Sequence, residues 1–417
     1  MNTLSPLLST VLAAVLMATG TGAQAGPIRS VGSMAFADAG TLLIADWRGG
    51  EIHALQLPAA ATAEARQFNL KNISAPIAKA LRTQADKLRF EDMAFRPGAE
   101  LAYISLSIEQ PRGLPQPALV SVNADGKVGV LRLEKLPRHS AAIGDKPSSD
   151  KMFWNQVPAA TYTVTDMVFH DNKLYVAGLS NASFASTLRV YDYPFTPTGK
   201  AGVASSSIEM YHAVHDQVET RAPIRKMVIA TLNGEPSLIA AYTCTPLVTM
   251  PLKDLKDGAH VVGKTIAELG WGSAPVDMVA FDAGQGPVVL LTNSHKSADM
   301  MALSDIAEAS ARPGLSKPIE WPASPYLGVK AIPVPLAGIA KLDTQDKEFL
   351  GALRRNEASG AMELVSIRKG ALLRLSDFVN EYDFADYRYA AKDPFRGLHQ
   401  QLRGEEGFPN LAARAAP

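Results

Sequence analysis

The chain has 417 residues, with 41 Lys and Arg balanced by 41 Asp and Glu. Proteins that live on nucleic acid or on anionic membrane surfaces carry an excess of basic charge, so this balance argues against both as main partners. At 47% hydrophobic and 20% charged, the composition is that of a globular protein with a large core, and the length suggests two or three domains unless a repeat builds one large domain.

Residues 1–25 contain no charged side chain. The apolar run Leu7 to Met17 is too short to cross a bilayer and is followed by Ala23-Gln24-Ala25, a small-x-small pattern. These features predict a secretory signal peptide cleaved before Gly26, although the usual basic start is missing; the alternative is a buried N-terminal helix. No later segment reaches the roughly 20 apolar residues of a membrane-spanning helix, so no membrane span is expected and the localisation predicted is periplasmic or secreted. Cys244 is the single cysteine. An intramolecular disulfide, c-type haem attached through CxxCH, and multi-cysteine zinc or iron-sulfur centres are therefore excluded, and stability must come from the core.

A short phrase recurs along the remaining chain: a small or charged residue, then Met or Ile, then a short apolar strand. It reads Ser33-Met34-Ala35-Phe36, Asp92-Met93-Ala94-Phe95, Asp166-Met167-Val168-Phe169, Lys226-Met227-Val228-Ile229, Asp277-Met278-Val279-Ala280 and Gly338-Ile339-Ala340. The markers lie 59, 74, 60, 51 and 61 residues apart. Each is followed by a turn and a second apolar run: 42–45, 102–104, 174–176, 237–240, 288–291 and 349–352. A third strand follows in most units, at 51–55, 118–122, 187–191 and 362–365. Such a sheet cannot bury both faces alone, so neighbours must stack, and a closed ring of stacked sheets removes the exposed edges. The prediction is all-β: a single β-propeller over 26–376 with four-stranded antiparallel blades, six by the spacing. A seventh hidden between Met93 and Met167, or two unrelated β-sandwiches, are the alternatives. Residues 377–417 form a C-terminal tail, aromatic and then basic, expected to pack partly on the propeller.

Asp166-Met167-Val168-Phe169-His170-Asp171-Asn172-Lys173-Leu174-Tyr175-Val176-Ala177 resembles the strand-turn-strand phrase of NHL-type propellers, gluconolactonase-like propellers and soluble quinoprotein sugar dehydrogenases. Ala45-Asp46-Trp47-Arg48-Gly49-Gly50-Glu51-Ile52 resembles their second-to-third strand phrase. The resemblance spans residues 31 to about 372 and implies the fold, not a function. It places the first strand of each unit along a central channel, with ligands at one mouth.

The residues before the markers are Ser33, Asp92, Asp166, Lys226, Asp277 and Gly338. If they are equivalent, three carboxylates and the Lys226 ammonium converge near the axis, where Asp92, Asp166 and Asp277 can hold Ca²⁺ or accept hydrogen bonds from turn backbone that fix strand entry. Metal carboxylates of gluconolactonase-like enzymes lie one position earlier, before a Gly that this chain lacks, and side chains alternate along a strand.

His212 and His215 lie three apart, a spacing that with Asp216 or Glu219 can bind Zn²⁺ or Cu²⁺ and that otherwise belongs to a polar or ligand-contacting loop. Arg221, Arg225 and Lys226 concentrate positive charge just beyond. Cys244, between two threonines, is the candidate nucleophile if those cations favour its thiolate, and a small buried hydrophobe otherwise. Polar loops after the second strands, with Asp46-Trp47-Arg48, Ser180-Asn181, Asn293 and His295, supply a ligand rim. Segments 135–160 and 306–335 are read as loops over the propeller faces. No Walker loop, dinucleotide fingerprint or nucleophile elbow is present. The resulting expectation is an exported binding or assembly module for a periplasmic protein or small molecule, with Arg221, Arg225, Lys226, Asn293 and His295 as ligand contacts. The alternative is an enzyme, either a lactonase-type metal-dependent hydrolase or a quinoprotein-like dehydrogenase, at the channel mouth.

Overall fold

A computed structural model of the chain describes residues 26–371 apart from 61–65, 196–201, 271–272, 321–325, 335 and 357–358. The expected signal peptide at 1–25 and the tail at 377–417 lie outside the described residues. Nearly all regular structure is β, in antiparallel four-stranded sheets arranged like the blades of a propeller, two of which merge into one ten-stranded sheet where Val203–His212 pairs in parallel with His260–Leu269.

Six such units are found among the described residues, numbered here by their first strands in chain order: Met34–Asp38, Leu88–Phe95, Asp166–His170, Ile224–Leu232, Pro275–Asp282 and Ile339–Thr344. These first strands touch one another in a closed ring. Every second strand is buried for most of its length, as Thr41–Asp46 is throughout, because neighbouring units cover both of its faces. That is why these segments read as unbroken apolar runs rather than as an alternating pattern. Asp171-Asn172 and Asn233-Gly234 both have positive φ, at 47° and 56° and at 52° and 81°, the tight hairpin geometry that Asn and Gly favour.

The order around the ring departs from chain order. Units 1, 3, 4, 5 and 6 follow one another, but unit 2 lies between units 6 and 1. Six apolar clusters show this, one at each interface; for example Phe95, Ile104, Leu353 and Leu364 join units 2 and 6, while Leu42, Ile44, Tyr103 and Leu119 join units 1 and 2. After Gln56 the chain crosses to unit 6, where Asn69–Leu70 pairs with Met362–Arg368 as a short fourth strand. It then builds unit 2, returns as Arg138–Ala142 to complete unit 1, and only then enters unit 3. The ring is thus tied at two neighbouring sheets, and segment 138–142, expected to be part of a surface loop, is a strand. The segment 306–335 is likewise more than loop, since the helix Leu303–Ala311 and strands Tyr326–Gly328 and Ile332–Val334 occupy parts of it.

Four first strands carry a bulge at the same place. Glu91, Arg225, Val276 and Ala340 are the extra residues, so Asp92, Lys226, Asp277 and Lys341 are the equivalent positions that follow them. This moves the sixth marker from Ile339 to Leu342. The tandem Ile339-Ala340 imitates the Met-Ala phrase, but only the register of the sheet reveals the inserted residue. Because the strands run antiparallel, first-strand starts, second-to-third-strand loops and fourth-strand ends share one face of the ring.

Candidate functional site

Two clusters of chemistry-bearing side chains stand near that face, one on the axis and one at the rim of unit 4. Along the axis, around a cavity of about 420 Å³, each unit grips the next. Ser33 Oγ donates to Thr165 O at 3.3 Å, and Thr165 Oγ1 to Ile224 O at 2.5 Å. Asp166 Oδ2 accepts Met227 N–H at 2.8 Å, Asp277 Oδ2 accepts Leu342 N–H at 2.8 Å, and Asp92 Oδ2 accepts Met34 N–H at 2.7 Å. Lys226 Nζ lies 3.0 Å from Asp166 Oδ1 and 3.3 Å from Asp277 Oδ1. Lys341 Nζ approaches Asp92 Oδ1 at 3.8 Å. In spatial order the equivalent residues are therefore Ser33, Asp166, Lys226, Asp277, Lys341 and Asp92, with the charges alternating. Chain order conceals this because unit 2 is displaced.

One further carboxyl closes the ring. Asp343 accepts Phe95 N–H at 2.7 Å through Oδ2, linking unit 6 to unit 2. It occupies the strand position held by Ala35, Ala94, Val168, Val228 and Val279 in the other units. Burial, followed by the charges of Asp277 and Asp92, outweighs its backbone hydrogen bonds and raises its pKa to about 7. Asp166 rises to about 6, again chiefly through burial, with Asp277 and Asp92 adding to the effect and Lys226 opposing it. Burial works against the Lys226 ammonium, but Asp166, Asp277 and Asp92 outweigh it and hold its pKa above the ordinary value. The shift directions of Asp166 and Lys226 are compatible because more carboxylates than ammonium groups share the centre.

At the rim of unit 4, the fourth strand of unit 3 ends at His212 and turns back as Gln217–Glu219, facing the 243–245 loop. His212 is buried, whereas half the His215 side chain is accessible. Glu219 Oε1 accepts from Nδ1 of both, at 2.7 and 2.8 Å, and the ring centroids are 3.9 Å apart. Cys244 completes a group in which one ligand atom from each of His212, His215 and Cys244 lies within 4.8 Å of the others. Thr245 Oγ1 is 3.3 Å from His212 Nε2 and donates to the buried Glu268, whose Oε1 accepts Ala213 N–H at 2.7 Å.

Burial pulls the His212 pKa down, but hydrogen bonds to Cys244 and Glu219 and the charges of Glu268 and Glu219 lift it to about 9. Burial alone would raise Glu219, yet the two histidines hold it at about 2. Burial raises Glu268. Cys244 has φ of +79°, a region that residues with a Cβ seldom enter and that costs on the order of 1 kcal/mol.

The other expected contacts are scattered. Arg221 Nε donates to Ser183 O at 3.2 Å, and the bulged Arg225 lies over the Tyr162 ring at 5.4 Å. Lys226 is buried among the channel carboxylates rather than beside Cys244. Asn293 Nδ2 donates to Asp299 Oδ2 at 2.9 Å, and the exposed His295 pairs with Ser294 Oγ at 2.7 Å. The sequence reading missed Lys341, Asp343 and Glu268. Lys341 and Asp343 flank the true sixth marker, so a one-residue bulge allowance would have found them. Glu268 sits in an apolar strand end, Ile266-Ala267-Glu268-Leu269, and nothing local marks it.

No family model matches the chain, and no curated protein matches it. Among solved structures it is similar to a chain from a mitotic checkpoint complex, at 7% identity over 87% of this chain and 99% of that one, TM-score 0.32. It is similar to the soluble aldose sugar dehydrogenase from Escherichia coli in its apo form, at 10% identity over 81% and 96% of the two chains, TM-score 0.32. A glucose dehydrogenase aligns at 11% identity over 82% and 96%, TM-score 0.30. Likenesses of this size assign neither family nor activity, and the architecture rests on the chain's own strand pairing.

Proposed function

We propose that the chain is an exported propeller-like binding module that engages a periplasmic protein or small molecule through the rim of unit 4, while its channel acts as the rivet of the fold. The observation that supports this reading is the use made of the axial charges. Asp92, Asp166, Asp277 and Asp343 each accept a backbone N–H of the next unit, and Lys226 is clasped between two of them. Groups already engaged in this way bridge units and are poorly placed to meet a substrate. His215 and Arg221, by contrast, face solvent on the side where the first strands begin. Of the enzymatic alternatives, a metal-dependent hydrolase draws support from the histidine and cysteine cluster, which moves its centre from the channel to the rim.

Site-directed photocrosslinking in cells exporting the full chain tests the reading. Probes replacing Arg221 at the rim, and Gln285 and Lys347 on the opposite face, are compared. Adducts from Arg221 alone, lost when free ligand is supplied, are the expected result. Equal labelling from both faces, or recovery of the chain only from the cytoplasm, would overturn it.

A further inference from the structure

We infer that His212, His215 and Cys244 form a three-ligand site for Zn²⁺ at the rim of unit 4, with the fourth coordination position open. The inference goes beyond the binding-module reading, since the metal binds or fails to bind whether or not a partner docks there.

The donor set comes first. A thiolate and two imidazoles suit zinc, which takes such ligands tetrahedrally at about 2.3 Å for sulfur and about 2.1 Å for nitrogen. Those bonds place neighbouring ligand atoms about 3.5 Å apart. The three candidate atoms are already within 4.8 Å of one another, so each pair needs to close by little more than an ångström. His215 sits on an accessible turn and Cys244 in a loop, so both can make that adjustment, whereas His212 is fixed in the wall.

The second observation is Glu219. An ionised carboxylate only accepts hydrogen bonds, so Nδ1 of both histidines carries the proton where Oε1 receives them at 2.7 and 2.8 Å. One carboxylate thereby orients two imidazoles; Nε2 of His215 keeps its lone pair, while Nε2 of His212, which donates to Thr245 Oγ1 at 3.3 Å, has to give up its proton as the metal enters, the usual accompaniment of metal binding. Metal-bound histidines are normally buttressed in this way through their other nitrogen. The hairpin that carries the histidines also explains the geometry: the chain reverses between His212 and Gln217, which brings His215 over the His212 ring at 3.9 Å between centroids. The 243–245 loop of unit 4 then brings in the chain's single thiol, from the neighbouring unit. Three ligands from two units meet on a fixed frame.

The test uses the full exported chain purified without a polyhistidine tag. Competition against a chromophoric chelator should show one equivalent of Zn²⁺, and Co²⁺ in its place should give thiolate-to-cobalt charge-transfer absorption. His215→Ala and Cys244→Ser should each weaken Zn²⁺ at least 100-fold, and the cobalt band should vanish in the cysteine variant. Glu219→Gln should weaken it by about 10-fold to 100-fold through loss of the buttress, while the exposed His139→Ala leaves it unchanged. Because Cys244 is the only cysteine, alkylation reads the site in the wild-type protein without any substitution: saturating Zn²⁺ should slow iodoacetamide labelling at least tenfold. No uptake of Zn²⁺, uptake that Cys244→Ser leaves intact, or labelling indifferent to Zn²⁺ would each overturn the site. None of these readouts depends on a partner, so their failure is separate from failure of the crosslinking experiment.

Discussion

Asp166 carries out two tasks with one carboxylate: Oδ1 lies 3.0 Å from the Lys226 ammonium, and Oδ2 takes the Met227 N–H at 2.8 Å. The bond to Met227 joins unit 3 to unit 4 and the ion pair neutralises the joint. Asp92, Asp277 and Asp343 repeat the carboxylate-to-backbone link at other joints, so single substitutions at these positions act on closure as well as on charge.

Lys226→Met should be among the most damaging single changes. It leaves Asp166 and Asp277 buried without their cation, and breaking a buried ion pair on one side costs about 3–5 kcal/mol. Asp166, at about 6 even with Lys226 present, can take up a proton at low pH. The loss should therefore be larger at pH 8 than at pH 5, as read from urea denaturation. A loss that is the same at both values would refute the assignment of charge.

Asp343 gives the opposite sign. Its folded-state pKa of about 7 lies above the ordinary 3.8, so the folded state favours the protonated form. Stability is greatest below the unfolded value and declines as pH rises from about 4 through about 7. Asp343→Asn keeps an acceptor for Phe95 N–H and removes the titration. The variant should gain on wild type as pH rises through that window, in thermal unfolding at pH 4 and pH 8, and a pH-independent difference would count against the assignment.

Displacement of unit 2 can be tested at Gly351 of unit 6. A Cβ added there would lie 1.9 Å from Phe95 Cε2 in unit 2. Gly351→Ala should therefore destabilise by about 1–3 kcal/mol, the usual result of overpacking. Phe95→Leu in the same chain should recover part of the loss. Were the two units apart, the double-variant cycle would show no coupling.

Cys244→Gly separates strain from chemistry. Glycine enters positive φ freely, so relief at +79° should raise stability by about 1 kcal/mol in metal-free solution. The same substitution removes the proposed sulfur ligand, so added Zn²⁺ should no longer shift its melting temperature. A variant that melts lower than wild type and still responds to Zn²⁺ would contradict both statements.

Much of the architecture was written locally. Five of the six markers, all six second strands and the proposed third strands lie where the apolar periodicity puts them, because burial on both faces of a stacked sheet demands those runs. The Asp residues before Met93, Met167 and Met278 were likewise visible as a recurring position. Their hydrogen-bond role was close to the reading that they fix strand entry, except that the N–H groups belong to the next unit's strand and not to a turn. The His212 and His215 pair was also legible from its spacing.

What the sequence alone determined was the content of each sheet: which residues are apolar, where strands begin, and which polar residue precedes each one. Which sheets are neighbours was decided only by the tertiary structure, since Asn69–Leu70 and Arg138–Ala142 pair across long gaps and carry no local mark of their partners. The alternation of Asp166, Lys226, Asp277, Lys341 and Asp92 follows from that order, as does the meeting of Cys244 with two histidines from another unit. Local pattern is set by the burial of each strand, but juxtaposition is set by how the ring closes, which depends on all of the sheet interfaces at once.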